Sequence, residues 1–422
     1  MRKIFPLLLA FNLLVSISHA QKFLFSKEKV PSGVVRVTPD SRYNDKAGYG
    51  FEAGVALKET DGGIGADGPF FFSVKLAEGN YNIRAEVAAA AVRVECRRMM
   101  VQDTVTGRVA FTVHVRDTMI RDASGKVIGT VRIKPREKNY RHWDNLLTIE
   151  FNGRSPAIRS LGITPAREAV TVFLAGNSTV VDQDREPWAA WGQMIPAFFI
   201  PGKVAVANYA ESGEALSSFI RARRLEKIIS LMQPGDYLFI EFGHNDQKQK
   251  GSGVGPFTSY KRDLLHFILE TRKKGGIPVL VTSMHRRSFD TSGRIINTLG
   301  DYPEAVRQVA REQDVALIDL NAMSRTLYEA WGETASLKAF VHYPANTFPG
   351  QAQALQDNTH FSTYGAWQIA KCIIKGIRDS GSGLAGFLRD DIQPFDPAHP
   401  DDITTWYWPL SPLKPARKPD GN

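Results

Sequence analysis

Cysteine is nearly absent: the 422 residues include two, Cys96 and Cys372. Two thiols do not build a thiolate zinc cluster. Because they fall in segments of different character, a buried free thiol at each position is expected rather than a bridge. Long apolar runs are also missing beyond the N-terminus, where no stretch approaches the roughly 20 residues of a membrane helix. No Lys/Arg-rich run interleaved with aromatic residues occurs, so nucleic acid is not expected as a partner despite a net charge of +9. A Gly-x-Ser-x-Gly elbow, a His-Glu-x-x-His helix and a P-loop are likewise absent. Their absence argues against the α/β-hydrolase, zinc-peptidase and nucleotide-hydrolase classes. There is no internal repeat.

What is present is a globular composition, 43% hydrophobic and 23% charged, over a length sufficient for two domains. Arg2 and Lys3 precede a largely apolar stretch from Ile4 to Ile17, and small residues at Ser18-His19-Ala20 follow. That order predicts an export signal over residues 1–20. The mature chain then begins near Gln21 and is periplasmic or extracellular, with no membrane anchor. A basic exported chain is attracted to polyanions, acidic polysaccharide among them.

Residues 21–165 read as short alternating strands separated by Gly, Asn and Asp, as in Tyr81–Val87, Val109–Val115 and Leu147–Phe151. This rhythm predicts an antiparallel β-sandwich. Over residues 166–380, apolar strands alternate with helical patterns. The strands are Val170–Leu174, Val204–Asn208, Tyr237–Phe242, Pro278–Thr282 and Val315–Leu320. Helices are expected over Trp188–Phe199, Leu216–Met232, Tyr260–Lys274, Pro303–Gln313 and Thr363–Ile377. Five buried strands alternating with helices predict a parallel three-layer α/β sheet. Residues 381–422 form a Pro-rich tail whose Trp406, Tyr407 and Trp408 predict packing on the surface.

Sites in open parallel sheets form at the carboxyl ends of strands. There lie Gly176-Asn177-Ser178, Ser212-Gly213 and Gly243-His244-Asn245-Asp246, with Asp357-Asn358-Thr359-His360 before the last helix. Taken singly, each has a structural explanation: a cap, a left-handed turn or a local side-chain bond. Together they contain what ester hydrolysis requires, namely a hydroxyl, a base, a group orienting the base, and oxyanion donors. Ser178 is the candidate nucleophile, His360 the base and Asp357 its orienting partner. The backbone N–H groups of Ser178 and Gly213, with the Asn245 amide, are the candidate oxyanion hole. His244 is read as structural. Arg286 and Arg287 follow the fourth strand and are candidates to hold a carboxylate on the substrate, or are solvated surface residues.

These blocks resemble those of the SGNH (GDSL-type) hydrolase superfamily, matched here at Ser178, Gly213, Asn245 and His360. The stretches Glu186–Gln193, Ala210–Glu214, Phe242–Asp246, Asn297–Pro303 and Asp357–Phe361 are similar to the rhamnogalacturonan acetylesterases within it. The likeness covers about Val170 to Ile377, and the leading domain is similar to one that some bacterial members carry. The resemblance implies a flavodoxin-like α/β/α domain that removes acetyl groups from pectin backbones without metal or cofactor. Asn177 departs from it, because the family usually has Asp before the nucleophile. Other acetylated polysaccharides or small esters, and a non-catalytic carbohydrate-binding protein on this fold, are the alternative readings.

Overall fold

The structure is a computed structural model describing residues 20–26 and 28–421. Of the export signal expected over 1–20, all but Ala20 lies outside the described residues. Among the described residues no helix is long and apolar enough to cross a membrane.

Ten of the strands from Gln21 to Pro165 join in one hydrogen-bonded network, antiparallel except where Gln21–Phe25 pairs in parallel with Val35–Val37, while Met119–Arg121 and Val127–Thr130 pair separately. Its spine is two long neighbours, Gly79–Val94 and Arg98–Val115. The first of these pairs with Ala157–Pro165 through its leading half and with Leu146–Asn152 through its trailing half. The change of partner coincides with Ala89 at φ 48° and a register shift between Val87 and Ala90. Such an irregularity bends a strand and lets it serve two layers. Phe23, Phe25, Phe51, Phe72 and Phe151 are buried between those layers. Each such ring contributes about 1.5–3 kcal/mol by leaving water.

From Val170 onward a five-stranded parallel sheet forms, Val170–Gly176, Val204–Asn208, Tyr237–Glu241, Ile277–Val281 and Ala316–Ile318. The second strand lies at one edge, followed by the first, third, fourth and fifth. This is the flavodoxin-like order. Val172 and Leu174 point into a core shared with the helix Thr363–Asp379, whereas Phe173 and Ala175 point into one shared with Leu216–Arg221 and Lys261–Lys273. Apolar side chains at successive positions therefore build three layers, as the sequence predicts.

Two local expectations are corrected. The helix expected over Trp188–Phe199 is one α-turn, Trp191–Met194, and then a 3-10 turn, Ile195–Phe198, because Pro196 supplies no N–H. The helix expected over Leu216–Met232 is two, Leu216–Arg221 and Arg224–Leu231, separated by Arg223 at φ 60°. At that break Arg132 N–H takes the Ala222 carbonyl. Unforeseen were the helix Leu320–Ser336 and the hairpin of Phe340–Tyr343 with Leu355–Phe361. Cys96 and Cys372 are buried and unbridged.

Buried charges join the strand-rich region to the α/β sheet. Arg98 meets Asp182 at 2.6 Å, Arg97 meets Glu186 at 2.5 Å, and Arg224 meets Glu137 at 2.5 Å. Lys227 sits between Glu78 at 2.6 Å and Asp117 at 3.0 Å. The final stretch crosses both regions. Trp406 stacks on Trp367 and Trp408, Trp408 lies under Arg93 at 3.6 Å, and Ser411 bonds Glu150, while Tyr407 is exposed.

Candidate active site

The first and third strands flank the point where the chain's winding direction reverses, which is where such sheets open a crevice. Ser178 lies in a tight turn after the first strand and has no helix behind it to cap, since the next begins at Trp191. The turn is closed from within. Asn177 Oδ1 accepts from Thr179 N–H at 3.0 Å and Thr179 Oγ1 at 2.9 Å. Thr179 Oγ1 also contacts Glu241, whose carboxylate receives Trp191 Nε1–H at 2.9 Å. Asn177 Nδ2 is buried with no hydrogen-bond partner.

The hairpin strand Leu355–Phe361 carries the other two triad candidates to this turn. His360 Nε2 is 2.7 Å from Ser178 Oγ, and His360 Nδ1 is 2.7 Å from Asp357 Oδ2. Asp357 Oδ1 also accepts the N–H groups of Thr359 and His360. Burial raises the Asp357 carboxyl, but the His360 imidazole and these amides outweigh it and hold the group well below the usual carboxylate range. The anion therefore persists at any working pH and fixes the Nδ1–H tautomer, leaving Nε2 as the acceptor facing Ser178.

Gly213 follows the second strand at φ 81°, a conformation that glycine adopts without strain. Asn245, after the third strand, gives one amide hydrogen to Glu214 O at 3.0 Å and has a second to offer. Asp246 ties these loops together, accepting Leu216 N–H and Gly243 N–H at 2.9 Å each. Ser178, Gly213, Asn245, His360 and Asp357 are thus gathered at one end of the sheet. His244 is buried beside them. Burial, then the charges of Arg286, His360 and Lys248, push its pKa well down, so it is neutral.

Arg286 and Arg287 stand at the same edge. Arg287 is engaged by the protein itself, at Ser336 Oγ (2.9 Å), Asn358 Oδ1 (3.2 Å) and Glu333 O (2.5 Å). Arg286 contacts Thr298 and His244 O at 3.3–3.5 Å and, with the Gln247 amide turned so that both its ends are satisfied, donates from both terminal nitrogens to Gln247 Oε1 at 2.7 Å each. A cluster that could ligate a metal is formed by Glu137, His142 and Glu211, whose ligand atoms approach within 4.8 Å. Arg224 and Arg136 already balance those two carboxylates.

Two supports escaped the sequence reading. Gln183 donates to the Ser178 carbonyl at 2.8 Å, and Arg97 of the strand-rich region donates to Gln183 O at 3.2 Å and Trp188 O at 2.9 Å. No local pattern marks either residue, because each acts through a contact made only after folding.

Residues 174–367 match the model of the GDSL-like Lipase/Acylhydrolase family. Over 224 residues the chain is 43% identical to the rhamnogalacturonan acetylesterase RhgT of Bacillus subtilis (strain 168), covering 53% of this chain and 95% of that one. It is 33% identical over 216 residues to the probable rhamnogalacturonan acetylesterase YesY of the same strain, covering 50% and 94%. Similarity to that strain's uncharacterized esterase YxiM is 24% over 394 residues, covering 87% of this chain and 92% of that one.

Proposed function

The chain belongs to the GDSL-like lipase/acylhydrolase family and is a carboxylic ester hydrolase, and from that premise we propose that it is an exported carbohydrate esterase that deacetylates pectic rhamnogalacturonan. The observation that carries the mechanism is the unbroken chain of hydrogen bonds from Asp357 through His360 to Ser178. In the proposed reaction Ser178 Oγ attacks the acetyl carbonyl while its proton passes to His360 Nε2. The oxyanion is met by the N–H groups of Ser178 and Gly213 and by the free hydrogen of the Asn245 amide, each worth about 10²–10³ in rate. As the acyl C–O bond breaks, the imidazolium, held by Asp357, gives the proton to the departing sugar oxygen, which leaves as a hydroxyl. Water activated by the same histidine then releases acetate and regenerates Ser178.

The substrate assignment is supported by the relatives named for rhamnogalacturonan and by the chain's basic charge. Arg286, whose partners Gln247, Thr298 and His244 O are all neutral, is the edge arginine proposed to meet a uronate. Arg287 holds Asn358, next to Asp357, in place. Residues 21–165 then form an accessory domain, 166–380 the catalytic domain and 381–422 a tail across both. Acetate release from acetylated rhamnogalacturonan, acetylated xylan and p-nitrophenyl acetate tests the reading. The pectic polymer is expected to give the highest kcat/KM, and a preference for xylan would overturn the substrate assignment while leaving the esterase chemistry.

A further inference from the structure

The chain's own final segment lies on the proposed oxyanion hole. A Cβ placed on Gly421 would sit 2.7 Å from Asn245 Oδ1 and 2.9 Å from Gly213 Cα, and one placed on Gly213 would meet Asp420 Cβ at 3.0 Å. Lys418 Nζ is 4.0 Å from Asp357 Oδ2. Behind these contacts the segment is tethered by Arg185 to Pro415 O at 2.9 Å and by Ala416 N–H to Pro349 O at 2.8 Å. A substrate acetyl group and this segment cannot occupy the same space.

The end of the segment is held by charge. Asp420 Oδ1 lies 3.1 Å from Nη1 of Arg136, a side chain that is 6% exposed. The other terminal nitrogen of Arg136 is engaged by Glu211 and Ser212 O, and its Nε is buried without a hydrogen-bond partner. Lys134 Nζ, which pairs with Glu214 at 3.1 Å and donates to Ser212 O at 2.5 Å, lies 3.2 Å from where a Gly213 Cβ would stand. Only Nη1 of the Arg136 guanidinium faces an exchangeable partner, the half-exposed Asp420 carboxylate, which an exposed ion pair of this kind holds weakly.

We propose that Arg136, with Lys134 beside it, is a carboxylate subsite bordering the oxyanion hole. Asp420 fills it in the free protein, and a uronate carboxylate of the substrate takes Asp420's place. This rests on the reading of the substrate as an acidic polysaccharide. Exchange makes the chain selective, since a neutral glycan brings no charge with which to displace Asp420. It also gives the strand-rich region, which supplies both basic residues, a direct part in recognition.

The test is calorimetric binding of digalacturonate to the full chain, which requires no turnover. Asp420→Asn keeps the segment's shape and removes the competing charge. It is expected to tighten digalacturonate binding about three-fold, the scale of an exposed ion pair. Xylobiose, a neutral disaccharide, should show no such gain. Arg136→Gln should weaken digalacturonate about ten-fold or more. Because Arg136 is buried against Glu211, its variant can fail to fold, and the Asp420→Asn comparison decides alone. Equal digalacturonate affinity in wild type and Asp420→Asn, no binding to either, or an equal gain for xylobiose would overturn the subsite. If acetate is released from rhamnogalacturonan yet the affinities are unchanged, the subsite fails and the proposed function stands. If binding follows the expected pattern but no acetate is released, the subsite stands and the proposed function fails.

Discussion

Gln183 holds the carbonyl of Ser178 from behind, its side-chain amide 2.8 Å from that oxygen. Its own carbonyl is gripped by Arg97 and Gln193, so the turn carrying Ser178 is linked to the strand-rich region through one glutamine. A hydrogen bond of this kind is worth about 0.5–1.5 kcal/mol. Gln183→Ala is therefore expected to lower kcat roughly two- to ten-fold with little change in KM. A rise in KM at constant kcat would assign Gln183 to substrate binding instead.

Asn177 uses only its oxygen, which accepts both bonds from Thr179. Aspartate offers the same acceptor and removes the unpartnered Nδ2, at the cost of a charge near Glu241. Asn177→Asp is expected to stay within about ten-fold of wild-type kcat, whereas Asn177→Ala, which opens the turn, falls further. If the alanine variant is the more active of the two, the turn-closing role is wrong.

The buried pair Arg98–Asp182 has one partner in each region, and Asp182 also accepts from Asn208 at 2.8 Å. Removing one member leaves a buried charge uncompensated, at about 3–5 kcal/mol. Arg98→Met should lose that much in urea denaturation. A loss under about 1 kcal/mol, the range of an exposed pair, would show that water reaches the site.

Burial raises the Glu241 carboxyl to about 7, against the hydrogen bonds from Trp191 and Thr179. The folded chain therefore keeps a proton that the unfolded chain, titrating near 4.5, has released. Glu241's contribution to stability is intact below 4.5, declines as pH rises from there to about 7, and is flat beyond. Glu241→Gln should remove that decline, gaining on wild type by on the order of 3 kcal/mol across the window. Urea midpoints measured through the window check this, and parallel profiles for the two proteins would refute it.

Much of this architecture was legible in the sequence because its signals are local. The five apolar strands are short and evenly separated, and Ser178, Gly213 and Asn245 each follow one directly. What escaped depends on distant partners. Nothing within residues 216–232 announces the break at Arg223, since every residue there is compatible with a helix. The break accompanies Arg132 bonding Ala222 and Arg224 turning inward to Glu137. The helix Leu320–Ser336 was hidden by Gly332, whose non-helical backbone interrupts its periodicity. Arg97 and the placement of Asp420 were illegible because they link segments tens to hundreds of residues apart, whereas Gln183 reaches Ser178 only five residues away and is fixed there by the distant Arg97.

In the proposed reaction Ser178 carries the acetyl group between sugar and water. Rapid acid quenching during turnover of an acetylated substrate, followed by mass spectrometry of the peptides, tests it most directly. An acetyl adduct on Ser178 that disappears as substrate is exhausted is expected, with no adduct or turnover in Ser178→Ala. Undiminished acetate release by Ser178→Ala, or a transient adduct on another residue, would contradict it.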